Sequence, residues 1–150
     1  TNLHAAGSSA MMRAAVEGLT RADGTRPILL AVTMLTSISE DIMRKELLIG
    51  GTLSDTVISY AKSAMASGLD GVVCSPHESP KVHEGCGAGF VTVTPGVRFA
   101  DSAKGDQARV TTPAEARKLG SDYIVVGRPI TQAENPVTAY RKCLNQFVGG

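Results

Sequence analysis

Five short apolar runs punctuate the chain, and the segments between them carry helical spacing. Asn2-Leu3-His4-Ala5 reads as a short first strand. The run Ile28-Leu29-Leu30-Ala31-Val32-Thr33-Met34 is continuous and apolar, which predicts a second strand buried on both faces. Gly71-Val72-Val73-Cys74-Ser75, Val91-Thr92-Val93-Thr94 and Tyr123-Ile124-Val125-Val126 complete the set. Between them, Ser8 or Ser9 can cap a helix with Met12, Ala15 and Leu19 on one face. Thr52 or Ser54 opens another, with Val57, Ala61, Ala64 and Met65 on its buried side. A brief helix is expected between Pro76 and Glu84. Thr112-Pro113-Ala114-Glu115 is a capping box with proline at the first helical position, and Gly120 stops that helix. Asn135-Pro136 starts the last helix, with Val137, Tyr140, Leu144 and Phe147 as its expected buried stripe.

Strand followed by helix, repeated along the chain, predicts a parallel sheet with right-handed crossovers. Two α/β architectures remain open: a doubly wound sheet, or part of a (β/α)8 barrel. A complete barrel takes about 250 residues, so five units in 150 residues make roughly five-eighths of one. No low-complexity stretch or linker interrupts the pattern, and residues 1–150 read as a single domain.

Composition narrows the function classes. The net charge of +1, with Lys and Arg scattered and no Trp, offers neither a basic field nor a stacking platform for nucleic acid. Cys74, Cys86 and Cys143 are odd in number and far apart, which argues against a disulfide framework or a zinc site and for a reducing, cytoplasmic setting. No apolar run approaches the roughly 20 residues that span a bilayer, so no membrane association is expected.

Candidate chemistry sits at the strand ends. The fourth run continues into Pro95-Gly96-Val97-Arg98, and the fifth into Gly127-Arg128-Pro129. Glycine lets a backbone N–H approach an anion, arginine offers a donor fork matched to phosphate oxygens, and ligands of parallel α/β proteins bind past the carboxyl ends of strands. These features point to a phosphate ester. Each residue has a plainer reading as well. Arg128 could be a surface arginine, and Arg98 could pair with Asp101 or Asp106. Thr36 could cap a turn or helix, since Ser37, Ser39 and Glu40 follow, and Gln107 could be a solvated loop residue. His4 reads as a structural strand histidine, and Cys74 as a small buried hydrophobe.

Six segments together resemble the bacterial type of orotidine 5′-phosphate decarboxylase, a (β/α)8 barrel lyase. They are Leu3-His4-Ala5-Ala6-Gly7 with Met11-Met12, Ala31 to Ser37, Gly68 to Ser75, Val93 to Arg98, Gly105-Asp106-Gln107, and Val126 to Thr131. They fall in the family's order and match its fourth to eighth βα units. The resemblance implies that Gly127 and Arg128 hold a 5′-phosphate and that Gln107 bridges phosphate and pyrimidine from a lid. It places Arg98 on the phosphoribosyl side and Thr36 at the pyrimidine edge. Asp106 and Arg109 themselves read as a pair that orders the loop. It implies no cofactor and no metal, a nucleotide monophosphate as the small-molecule partner, and a homodimer in the complete enzyme. The family's catalytic Asp-x-Lys-x-x-Asp run occurs nowhere in the chain, and none of Lys45, Lys62, Lys81, Lys104, Lys118 and Lys142 sits in such a run. The chain is therefore expected to be the C-terminal, substrate-binding part of the barrel, beginning at the fourth strand, with no catalytic residue of its own and no activity alone. Two alternatives remain: a metal-dependent sugar-phosphate decarboxylase acting on a keto-gulonate phosphate, or a non-catalytic half-barrel that binds phosphate.

Overall fold

A computed structural model describes residues 1–100 and 110–149. Asp101, Lys104, Gly105, Asp106, Gln107 and Arg109 lie outside the described residues, and with them the expected lid and the expected Asp106–Arg109 pair. Five strands, β1 (Asn2–His4), β2 (Leu30–Val32), β3 (Gly71–Val73), β4 (Val91–Thr94) and β5 (Tyr123–Ile124), form one sheet. All four pairings are parallel, and the spatial order follows the order in sequence. A doubly wound sheet reverses its strand order at a switch point. Here every crossover advances in the same direction, as in a barrel, and right-handed connections then carry the helices to one face.

The register shows which face that is. Leu29, Ala31, Val72, Cys74, Thr92 and Thr94 are buried. The four apolar ones, Leu29, Ala31, Val72 and Cys74, meet Met12 of α1 (Ser8–Leu19), Val57, Ala61 and Ala64 of α3 (Leu53–Ala66), and Val82 of α4 (Ser79–Cys86) in one apolar core. Leu30, Val32, Val73, Val91 and Val93 alternate onto the opposite face and are only half-buried. The second strand is thus not buried on both faces, because its other side looks into the space a closed barrel would enclose. The described strand is also shorter than its apolar run, with Ile28 exposed before it.

The amino ends of the strands are tied by carboxylates. Asp70 accepts the Leu29 N–H at 2.7 Å and both terminal nitrogens of Arg26, while Arg26 also donates to the Gly68 carbonyl. Asp122, just before β5, accepts from the Thr92 N–H at 2.7 Å and its hydroxyl at 2.9 Å, with His83 Nε2 3.1 Å away. Gly71 fits beneath β4 because it has no side chain: a Cβ there would lie 2.1 Å from the Val91 carbonyl oxygen.

Local signals account for most helix starts. The Thr52 hydroxyl accepts from Asp55 N and opens α3, and the Ser39 hydroxyl accepts from Ile42 N and opens α2 (Glu40–Lys45). The Thr112–Glu115 capping box starts α5 (Pro113–Lys118), beyond which Gly120 takes a positive φ. Asn135 caps α7 (Pro136–Leu144) through the Thr138 N–H. The expected helix between Pro76 and Glu84 is a 3-10 turn, Pro76–Glu78, running straight into α4.

Three further expectations fail. Neither Ser8 nor Ser9 caps α1: a 3-10 turn, Ala5–Gly7, follows β1 directly, so Gly7 becomes the cap and the serines fall inside the helix, Ser8 with φ of 77°. Met65 is 41% exposed rather than buried. On α7, Val137, Tyr140 and Leu144 are exposed, Phe147 is half-buried, and Cys143 is the buried residue instead. That helix follows the edge strand, and its apolar side borders an open groove of about 540 Å³ shared with Tyr123, Ile124, Val126 and Ile130.

Candidate functional site

Parallel strands deliver their following loops to one edge of the sheet, and the three described segments expected to touch a ligand, those of Thr36, Arg98 and Gly127-Arg128, come from three different strands there. After β2 the ladder runs one residue further, with Thr33 N and its hydroxyl both donating to the Val73 carbonyl. The chain then turns so that Thr36 is buried at 5% exposure. Thr36 lines a pocket of about 190 Å³ with Val32, Met34, Leu35, Ser37, Val73, Cys74 and Pro95, drawn from the carboxyl ends of β2, β3 and β4. Ser39, not Thr36, caps α2.

The turn after β3 is closed by its own acid. Glu78, 5% exposed, accepts the Ser75 N–H at 2.7 Å. After β4, Gly96 takes a φ of +82° and lets the chain resume as an extended piece, where Val97 bridges Thr111 in parallel fashion. Arg98 N donates to the Thr111 carbonyl at 3.0 Å, and its Nη1 donates to the Val97 carbonyl at 2.8 Å. Arg98 is only 6% exposed. Phe99 beside it is buried, with the Lys142 ammonium of α7 4.6 Å from its ring centre, a cation–π contact.

After β5, the Val125 N–H donates to the Thr94 carbonyl, and the chain turns at Gly127 into the single-turn helix α6 (Arg128–Thr131). The Gly127 carbonyl accepts from Ile130 N at 2.9 Å and Thr131 N at 3.0 Å. Gly127 and Arg128 are exposed, and a Cβ at Gly127 would meet nothing within 4 Å. Packing therefore does not explain the glycine.

Adjacent strands stand about 5 Å apart, so the Arg98 and Arg128 segments are neighbours, and Thr36 starts two strands further along the edge from Arg98. One row of loops thus presents an apolar pocket with a hydroxyl at one end and two guanidinium-bearing segments at the other. Gln107 lies outside the described residues. Among the described residues, no group of three or more His, Cys, Asp or Glu side chains could hold a metal ion, and no helix is long and apolar enough to cross a membrane. Lys45, Lys62, Lys81, Lys118 and Lys142 all lie on helices rather than on strands. Sequence reasoning did not single out the pocket walls Met34, Val73 and Pro95, although each lies within one of the resembling segments. It also missed Thr111, whose one signal was its place immediately before a capping box.

The family model described as Orotidine 5′-phosphate decarboxylase / HUMPS family matches residues 1–143. A protein of Geobacillus sp. (strain WCH70) named orotidine 5′-phosphate decarboxylase is 54% identical over 151 residues, covering 99% of this chain and 63% of its own length. One of the same name from Bacillus cereus (strain Q1) is 57% identical over the same share. The crystal structure of orotidine 5′-phosphate decarboxylase from Lactobacillus acidophilus superposes with a TM-score of 0.81 at 45% identity, over 98% of this chain and 62% of that one. The enzyme of that name from Pyrococcus horikoshii OT3, at 19% identity, shares the fold with a TM-score of 0.57. The chain spans just under two thirds of the length of the curated relatives it matches. With a singly wound parallel sheet, a family match across nearly its whole length and relatives above half identity, the chain belongs to the orotidine 5′-phosphate decarboxylase / HUMPS family.

Proposed function

We propose that this chain is the C-terminal substrate-binding part of an orotidine 5′-phosphate decarboxylase, which converts orotidine 5′-phosphate to uridine 5′-phosphate and carbon dioxide without a cofactor. The observation that carries the reading is the common edge: Thr36, Arg98 and Gly127-Arg128 follow β2, β4 and β5 of one parallel sheet. Gly127 and Arg128 hold the 5′-phosphate, the first through its backbone N–H and the second through its guanidinium. Arg98 serves the phosphoribosyl side, Thr36 bonds the pyrimidine edge inside the apolar pocket, and Gln107 contributes its amide between phosphate and ring. The proton donor to C6 comes from an Asp-x-Lys-x-x-Asp run outside these 150 residues, as do the carboxylates that crowd the substrate's own. The complete protein works in the cytoplasm as a homodimer.

Phosphate binding at a distance from the reacting bond helps only if it is coupled to something realised in the transition state. In this reading the binding free energy at Arg128 serves to seat the ring in a water-poor pocket beside the missing lysine. A sugar-phosphate substrate is the second reading, since the family's description covers both branches. The names of relatives at 54% and 57% identity favour the nucleotide, as does a pocket whose walls are mostly apolar.

The test is an Arg128→Ala substitution with uridine 5′-phosphate and uridine titrated separately. Nucleotide affinity is expected to fall roughly 30- to 100-fold, the size of a charge-assisted bidentate contact, with little change for the nucleoside. Equal losses for the two ligands would make Arg128 structural and remove the assignment.

A further inference from the structure

Arg98 stands four residues beyond the last residue of β4, where the regular ladder has ended. Its backbone is fixed there by Thr111, whose carbonyl accepts the Arg98 N–H at 3.0 Å and which forms the isolated parallel bridge with Val97. Thr111 is itself 2% exposed. Downstream it is held by the capping box: Thr112 N donates to Glu115 Oε2 at 2.9 Å, the Thr112 hydroxyl to the same oxygen at 2.7 Å, and Glu115 N back to that hydroxyl at 3.2 Å. Its own hydroxyl lies 3.1 Å from Nε2 of His77. His77 belongs to the 3-10 turn after β3, whose geometry is set by the Glu78–Ser75 bond. Two segments distant in sequence therefore converge on Thr111, and the link to the β3 turn is the one with no other visible function.

We propose that His77 and Thr111 are a positioning pair for Arg98: the hydroxyl–imidazole bond anchors the Thr111 backbone to the β3 turn and thereby sets the height at which Arg98 meets the phosphoribosyl group. The inference rests on the nucleotide reading above for its consequence, and on the hydrogen bonds alone for its geometry. Both act through the Thr111 backbone. A positioning pair of this kind acts as a unit, so removing either member has the effect of removing both.

A double-mutant cycle tests it, with His77→Phe, which keeps a ring at an exposed position, and Thr111→Val, which keeps the buried shape. Two readouts are taken. Amide exchange at Arg98 in the ligand-free chain is expected to quicken about fivefold in each single variant, the size of one lost hydrogen bond, and no further in the double variant. The ratio of uridine 5′-phosphate to uridine affinity is expected to fall by a similar factor in each, with His77→Gln, which can still bond the hydroxyl, restoring both readouts. Unchanged Arg98 exchange in His77→Phe, or effects that add fully in the double variant, would overturn the proposal. Absence of nucleotide binding by the unsubstituted chain would instead count against the proposed function, while the exchange readout would still decide the positioning.

Discussion

Asp70, at the amino end of β3, shows how one residue, through its carboxylate and its backbone, joins three segments of chain. It is held by Arg26 and by the Leu29 N–H, and Val91 N donates to its carbonyl. Partial burial alone would raise its pKa; the Arg26 hydrogen bond, the Leu29 N–H and the Arg26 charge outweigh that and hold it below its ordinary value of 3.8. A carboxyl depressed in the folded state contributes stability that is fully present above the unfolded pKa and is lost as pH falls through the folded one. Asp70→Asn is therefore expected to destabilise the protein by about 1 kcal/mol at pH 7, a modest figure because the pair is partly exposed. The gap between parent and variant should close as pH drops below about 4, and denaturant titrations at pH 7 and pH 3 measure it. A gap of equal size at both would mean that the carboxylate's charge contributes nothing. This residue stood within a motif of the sequence, yet its partner Arg26 lies 44 positions away, and no local pattern could have joined them. The same holds for His77 and Thr111, 34 positions apart. Arg98 and Arg128 were legible because what marks them, a glycine near a strand end, is local.

Among the elements, helix starts that depend on neighbouring side chains were readable, and those that depend on the preceding strand were not. The Thr112–Glu115 box and the Asn135 cap are closed by atoms within three residues. The start of α1 is decided by the turn that β1 feeds, which the Ser8-Ser9 pair could not reveal. The α7 stripe failed for a different reason. Its spacing is correct for a helix face, but burial requires a neighbour, and the helix follows the edge strand. Strand packing is tighter than the apolar runs disclose. Gly71→Ala would put a methyl group 2.1 Å from the Val91 carbonyl oxygen and 2.8 Å from its Cβ, so β3 and β4 would have to separate. A loss of about 2–3 kcal/mol is expected, read as a lower denaturation midpoint with the slope unchanged. A midpoint equal to the parent's would show that β3 and β4 can move apart without cost.

For the molecule as a whole, the singly wound order and the half-buried second face describe an arc of a barrel. Its edge strands β1 and β5 each pair on one side only among the described residues, and closure is what removes such edges. Composition and length had pointed to this arc, since five βα units are too few for a ring. The proposed division of labour follows from the chemistry: the groups proposed to bind the ligand lie in this chain, the described lysines all lie on helices, and binding substrate and transition state equally does not speed a reaction. The most direct measurement mixes this chain with a polypeptide carrying the remaining length of the Bacillus cereus relative, and follows the loss of orotidine 5′-phosphate absorbance. No turnover is expected from either piece alone. The mixture is expected to turn over, and Arg128→Ala in this chain should lower its kcat/KM roughly 30- to 100-fold. Turnover by this chain alone, or a turning-over mixture indifferent to Arg128→Ala, would contradict the account.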